Sequence, residues 1–69
     1  MLKEQILIDY VGVYTYVGKA IAGASHSAPV WTITRIEHDA VGKVVAVTHS
    51  EGCFEYHYAW ADREALEYK

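Results

Sequence analysis

Cysteine occurs once in these 69 residues, at Cys53, so no disulfide within the chain can brace the fold. A lone thiol fits a reducing compartment or a particle assembled in one. The CxxC and HxxxH spacings of structural zinc sites are missing as well. Proline appears only at Pro29, which leaves most of the chain free to form regular structure. Long apolar runs are also absent: Ile6-Leu7-Ile8 lies between Glu4-Gln5 and Asp9, too short for a secretory core or a membrane-spanning helix. The chain is therefore expected in the cytosol at synthesis, away from membranes. Clustered cations are the last absence. Lys3, Lys19, Arg35, Lys43, Arg63 and Lys69 are spread singly against nine acidic residues, for a net charge of −3. Phosphate-tracking surfaces need grouped Lys and Arg, so no direct nucleic-acid binding is expected.

What is present is apolar and aromatic. Hydrophobic residues make up 52% of the chain, with six tyrosines and two tryptophans. That is more apolar surface than so short a chain hides alone, and partner contact is its natural outlet. The length allows one domain, 1–69, which buries roughly 60% of the surface its unfolded form exposes. Such a core rarely supplies more than about 3–5 kcal/mol, so small domains lean on disulfides, metals or association. With disulfides excluded, association with copies or with other chains is expected.

The pattern along the chain is that of strands. Asp9 to Ala20 is rich in Tyr and Val (Tyr10, Val11, Val13, Tyr14, Tyr16, Val17) and reads as one long strand, with Gly12 and Gly18 marking strong coiling. Gln5 to Ile8 is either a short strand or a helical turn. Ile21 to Pro29 is the main loop. Val30 to His38 alternates, with Trp31, Ile33 and Arg35 on one face, and forms a second strand. Asp39 to Gly42 turns the chain and Lys43 to His49 returns as a hairpin. After the turn Ser50-Glu51-Gly52, the segment Cys53 to Trp60 has period two, with Phe54, Tyr56, Tyr58 and Trp60 sharing a face, which reads as the clearest strand. Asp62 is a good N-cap for one helical turn from Asp62 to Ala65, and Leu66 and Tyr68 fit either a short closing strand or more helix. The expected fold is all-β: a small, strongly bent antiparallel sheet or an SH3-like barrel, with a short helical turn near the C-terminus.

Three groups of residues invite chemistry. Cys53, Glu55 and His57 occupy alternate positions, and His49 lies across the turn from them. Alternate positions on a strand are about 7 Å apart, too far to share an ion without help from a loop, and the group reads as a solvent-facing polar row. Ser25-His26-Ser27 carries the residue types of nucleophilic catalysis, yet adjacency in sequence does not create hydrogen-bond geometry. Glu64 and Glu67 read as a solvated surface. No catalytic residue, metal ligand or cofactor is assigned, and the chain is expected not to be an enzyme. The aromatic row 54–60 serves either as a base-stacking platform or as core, and the acidic net charge favours core. Tyr10, Tyr14, Tyr16, Trp31 and Tyr68 are the residues expected to offer a partner interface, where aromatic side chains are favoured.

The stretches Tyr16-Val17-Gly18-Lys19-Ala20, Gly23-Ala24-Ser25 with Ala28, Val30-Trp31-Thr32-Ile33-Thr34-Arg35-Ile36, and Trp60-Ala61-Asp62-Arg63 with Leu66 and Tyr68 resemble short proteins encoded in the structural gene cassette of tailed bacteriophages and prophages. That family often has proline where this chain has Ala22, and Trp-Ala-Asp-Gly where it has Thr48 to Gly52. The resemblance implies a virion-associated or tail-associated context, with host cytoplasm as the site of assembly. The function expected is that of a non-enzymatic capsid, neck or tail accessory, in contact with copies of itself and with other virion proteins. The alternative is a small β-barrel that binds single-stranded nucleic acid or a small ligand.

Overall fold

The computed structural model describes residues 3–52 and 55–69. Four strands, β1 (Glu4–Val11), β2 (Tyr14–Ile21), β3 (Thr32–His38) and β4 (Val44–His49), form one antiparallel sheet in chain order. Among the described residues the only helical element is a 3₁₀ turn, Trp60–Asp62. The chain is all-β and its sheet is not closed: β1 and β4 lie at opposite edges, so the bent-sheet form of the expectation holds and the barrel form does not.

The segment Asp9 to Ala20 is two strands instead of one. Val11 pairs with Tyr14 across the two-residue turn Gly12-Val13, and Gly12 has φ +59°. A positive φ at the first central position alone is the mark of a type II′ hairpin turn, whose twist matches that of its strands. Val13, a good strand former, hides this turn from a propensity reading. The expected hairpin at Asp39 to Gly42 is built as read, because the Asp39 carboxylate accepts from Val41 N at 3.0 Å and Lys43 N at 2.9 Å and holds the turn into β4.

The register places Leu7, Gly18 and Ile33 in one row and Asp9, Tyr16, Arg35 and Thr48 in the next. This face is covered by the C-terminal segment. Tyr16, Ala20, Trp31, Ile33, Tyr58 and Trp60 form its buried core, with Leu7, Val11, Leu66 and Tyr68 packed against it. The Trp31 and Trp60 rings lie 5.8 Å apart. Gly18 lies beneath both indoles, where a Cβ would come within 2.6 Å of Trp60 Cζ3 and 3.1 Å of Trp31 Cε3. Arg63 lies over the Trp60 ring at 4.7 Å and donates to Asp9 Oδ2 at 2.8 Å and 3.1 Å, fastening the tail to β1.

The aromatic segment departs from its expected strand. Tyr58 makes a single bridge to Trp31, residues 55–57 bend, and 60–62 coil. Cys53 and Phe54 lie outside the described residues. Tyr58 and Trp60 turn into the core while Tyr56 is 50% exposed, so the row does not act as one wall. Trp60 joins Trp31 over Gly18, and the bend carries Tyr56 to the opposite side of the sheet, where its hydroxyl meets Glu4. Asp62 closes the 3₁₀ turn, and Ala59 takes the N-cap position. Tyr68 then bridges Ser50, and reciprocal bonds between His49 and Lys69 with Glu51 N donating to Glu67 O lay the tail along the end of β4.

Gly18→Ala is expected to cost about 1–3 kcal/mol through overpacking. In a Trp60→Leu background, which opens the space above residue 18, the same change costs less, and denaturant unfolding of the four variants measures the coupling.

Candidate docking surface

Side chains that alternate with the core residues point to the other face of the sheet. On β1 these are Glu4, Ile6, Ile8 and Tyr10, and the register continues the face through Val17, Ile36 and Val47. Branched apolar residues hold these positions because they fit a pleated surface. Their burial is a separate matter: Ile6 and Ile8 are each 56% exposed, Tyr10 77% and Val47 55%. Within this face Thr15 is the buried residue, its hydroxyl 3.1 Å from His38 Nε2.

The end of the face near Tyr56 is more polar. The Tyr56 hydroxyl donates to Glu4 Oε2 at 2.9 Å, a bond that raises the phenol's pKa because the neutral form is the donor. Val17, Lys19, Thr32, Thr34 and His49 line with Tyr56 a depression of about 340 Å³. A second, of about 360 Å³, adjoins it at Tyr56 between Lys3, Glu4, Ile21 and Val30. Thr34 Oγ1 and His49 Nδ1 are 3.0 Å apart, which fixes the imidazole against β3.

On the covered side, the Arg35 guanidinium sits between the Tyr14 ring at 4.5 Å and the Tyr68 ring at 4.8 Å, a cation–π sandwich. Tyr68 donates its hydroxyl proton to Arg63 O. Burial pushes its pKa above the ordinary tyrosine range; a neighbouring Tyr16 adds to the rise, and Arg35 and Arg63 oppose it.

The five aromatic residues expected at an interface thus separate. Tyr10 stands exposed on the open face, and Tyr14 and Tyr68 are half-buried around Arg35. Tyr16 (4% exposed) and Trp31 (fully buried) belong to the core, where a docking chain cannot reach them. Trp31 is held there by its indole N–H, which donates to Ser25 O at 2.9 Å. Ile6, Ile8, Val47 and Tyr56 are surface residues that sequence reading passed over. Alternation from Glu4 to Val11 carries the signal for the first two once the Gly12-Val13 turn is recognised.

Groups with chemical promise are dispersed. His57 meets Glu55 at 3.4 Å, His38 lies by Thr15 and His26 stands edge-on to Trp31. Among the described residues no three His, Cys, Asp or Glu side chains converge, and Cys53 lies outside them. Ser25 Oγ bonds Ser27 Oγ at 3.1 Å, so the Ser-His-Ser segment is organised as a turn. Among the described residues, no helix is long and apolar enough to cross a membrane. Compared with protein-family models, curated proteins and solved structures, the chain matches none.

The raised Tyr68 pKa ties stability to alkaline pH. The unfolded chain loses this proton near the ordinary value of about 10 while the folded chain keeps it, so the contribution is fully present below that pH and is lost as pH climbs beyond it. Thermal unfolding across this range is expected to show a falling midpoint in the parent chain. Tyr68→Phe flattens the part of the slope that this phenol causes.

Proposed function

We propose that this chain is a non-enzymatic structural protein of a phage particle, a capsid, neck or tail accessory that docks through its open sheet face and strand edge onto copies of itself and other virion proteins. The observation that carries this reading is the row Ile6, Ile8 and Tyr10, exposed on an edge strand with no neighbouring strand beyond it among the described residues. An exposed, regular apolar edge is a liability unless something covers it. The acidic net charge and the resemblance to proteins of phage structural cassettes support a protein partner in a particle.

The alternative, a small binding module, finds support in the depressions around Tyr56, where Lys19, Thr32, Thr34 and His49 supply polar groups. An aromatic residue beside a cation can hold a base or a small anion. Its test uses Tyr56→Ala, because Tyr58 and Trp60 are buried in the core and their truncation to Ala would lower stability as well as any binding.

Ile8→Lys with Tyr10→Ser is expected to reduce incorporation into particles of the encoding phage by about tenfold or more, given the roughly 1.4 kcal/mol that each decade requires. Circular dichroism should stay that of the parent. Quantitative blotting of purified particles reads the result. Parent protein absent from particles, or the double variant incorporated at the parent level, defeats the proposal. Salt-dependent binding of single-stranded DNA that Tyr56→Ala abolishes favours the alternative.

A further inference from the structure

We infer that β1 pairs antiparallel with β1 of a second copy, joining the two sheets edge to edge in a two-fold dimer. The inference takes its edge from the docking reading above but holds whether or not a particle is the destination.

The backbone of β1 dictates which groups are free for this. Val11 and Tyr14 flank the two-residue turn and form a hydrogen-bonded pair, and Ala22 N donates to Lys3 O at 2.8 Å in the same phase. The odd-numbered residues of β1 therefore spend their amides and carbonyls on β2. Glu4, Ile6, Ile8 and Tyr10 direct theirs outward. These are the same four residues whose side chains stand on the open face, so backbone bonding and apolar burial by a partner occur at one place.

The other edge is protected. At β4 the tail bonds to His49 and Glu51, and the irregularity between Glu37 and His38 disturbs the register opposite Val44 to Ala46. Bulges and covering segments are the devices by which proteins block edge pairing. Over its eight residues β1 has neither among the described residues, with unbroken register from Glu4 to Val11 and no proline. Its one inward acidic group, Asp9, is neutralised by Arg63 at 2.8 Å.

Outward groups must face outward groups, which fixes the register. Only one alignment uses all four residues of both strands: Glu4 opposite Tyr10 of the second copy, and Ile6 opposite Ile8. It sets Leu7 against Leu7 on the covered face, at a position without backbone bonds. No like charges meet, since Asp9 falls opposite Gln5, and each Glu4 carboxylate faces a tyrosine hydroxyl. Sliding by two residues either way strands outward amides and carbonyls at the ends. The contact is isologous, so it closes on itself, and it uses the strand-addition mode familiar from peptide recognition.

The experiment combines light scattering on sized fractions with amide hydrogen exchange of the full chain. A dimer is expected, with the Ile6 and Ile8 amides slowing at least about tenfold between dilute and concentrated solution, since exchange then requires the pair to open. Ile8→Lys, which brings ammonium groups into the seam, should weaken the dimer about 100-fold or more, while Val47→Lys on the same face leaves it intact. Leu7→Cys in a Cys53→Ser background should oxidise to a covalent dimer. A chain that is monomeric at every concentration overturns the inference, as does a dimer that Val47→Lys dissolves and Ile8→Lys spares, since that pattern means face-to-face stacking. Exchange in the parent chain decides the case even if a variant fails to fold. A dimer that never enters particles leaves this inference standing and removes the proposed function, and a monomer that enters them does the reverse.

Discussion

The Trp60 indole lies directly on the backbone of Gly18 and beside Trp31, and the rest of the molecule is arranged around that contact. A glycine in mid-strand weakens a sheet by itself. Here its missing side chain makes the seat for the largest side chain of the tail, so the entropic cost on β2 is offset by burying a tryptophan. Because Trp60 is seated, the turn that follows can place Arg63 over the indole and against Asp9, and Tyr68 can reach Arg35. The tail is thus tied to β1, β3 and β4 at separated points, and an irregular segment acts as the second layer that a four-stranded sheet needs.

The connection between β2 and β3 adds Trp31 and Ala24 to the same core. Among the described residues the tail lies mainly on one face and sends Tyr56 to the other, where the branched residues Ile6, Ile8 and Val47 remain exposed. The sheet also has too few strands to close and hide its edges. At β4 the tail supplies partial cover, whereas among the described residues the tail's hydrogen bonds to β1 are the side-chain attachments of Arg63 to Asp9 and Tyr56 to Glu4. The asymmetry between the edges follows from the tail's backbone bonds to His49 and Glu51.

Much of the fold was readable from local pattern. The alternation Trp31, Ile33, Arg35 marked the inner face of β3, and Asp39 with Gly42 marked the turn into β4. Gly18 reads in the sequence as a mark of strong coiling, whereas in the structure it seats the Trp60 indole. Leu66 and Tyr68 fitted either a short closing strand or more helix, and the bridge from Tyr68 to Ser50 decides for the extended form. The Gly12-Val13 turn was not readable, because valine is a strong strand former and no Asn-Gly or Asp-Gly pair stood there. That one misreading merged the end of β1 with β2 and left Gln5 to Ile8 as either a short strand or a helical turn, whereas β1 runs from Glu4 to Val11. The aromatic row misled for a different reason: period two describes the side to which each residue points only while the backbone stays extended, and the bend at residues 55–57 reverses the side for Tyr56. Nor can periodicity tell a covered face from an open one. Tyr16 and Tyr10 look alike in the chain, and only the position of the tail makes one core and the other surface.

The open face itself is not uniform, and the difference bears on what can cover it. Near Tyr56 stand the hydroxyls of Thr32 and Thr34, the Lys19 amine and the Glu4 carboxylate, polar groups that a flat apolar partner would have to desolvate without offering hydrogen bonds in return. Along the outer strand Ile6 and Ile8 present no such groups. A partner strand beside β1 satisfies the outward amides and covers these side chains in the same step, whereas a partner laid over the centre of the face satisfies no backbone group at all. Backbone hydrogen bonding and apolar burial therefore favour the same approach, from the side of β1, and the polar end near Tyr56 is left in water.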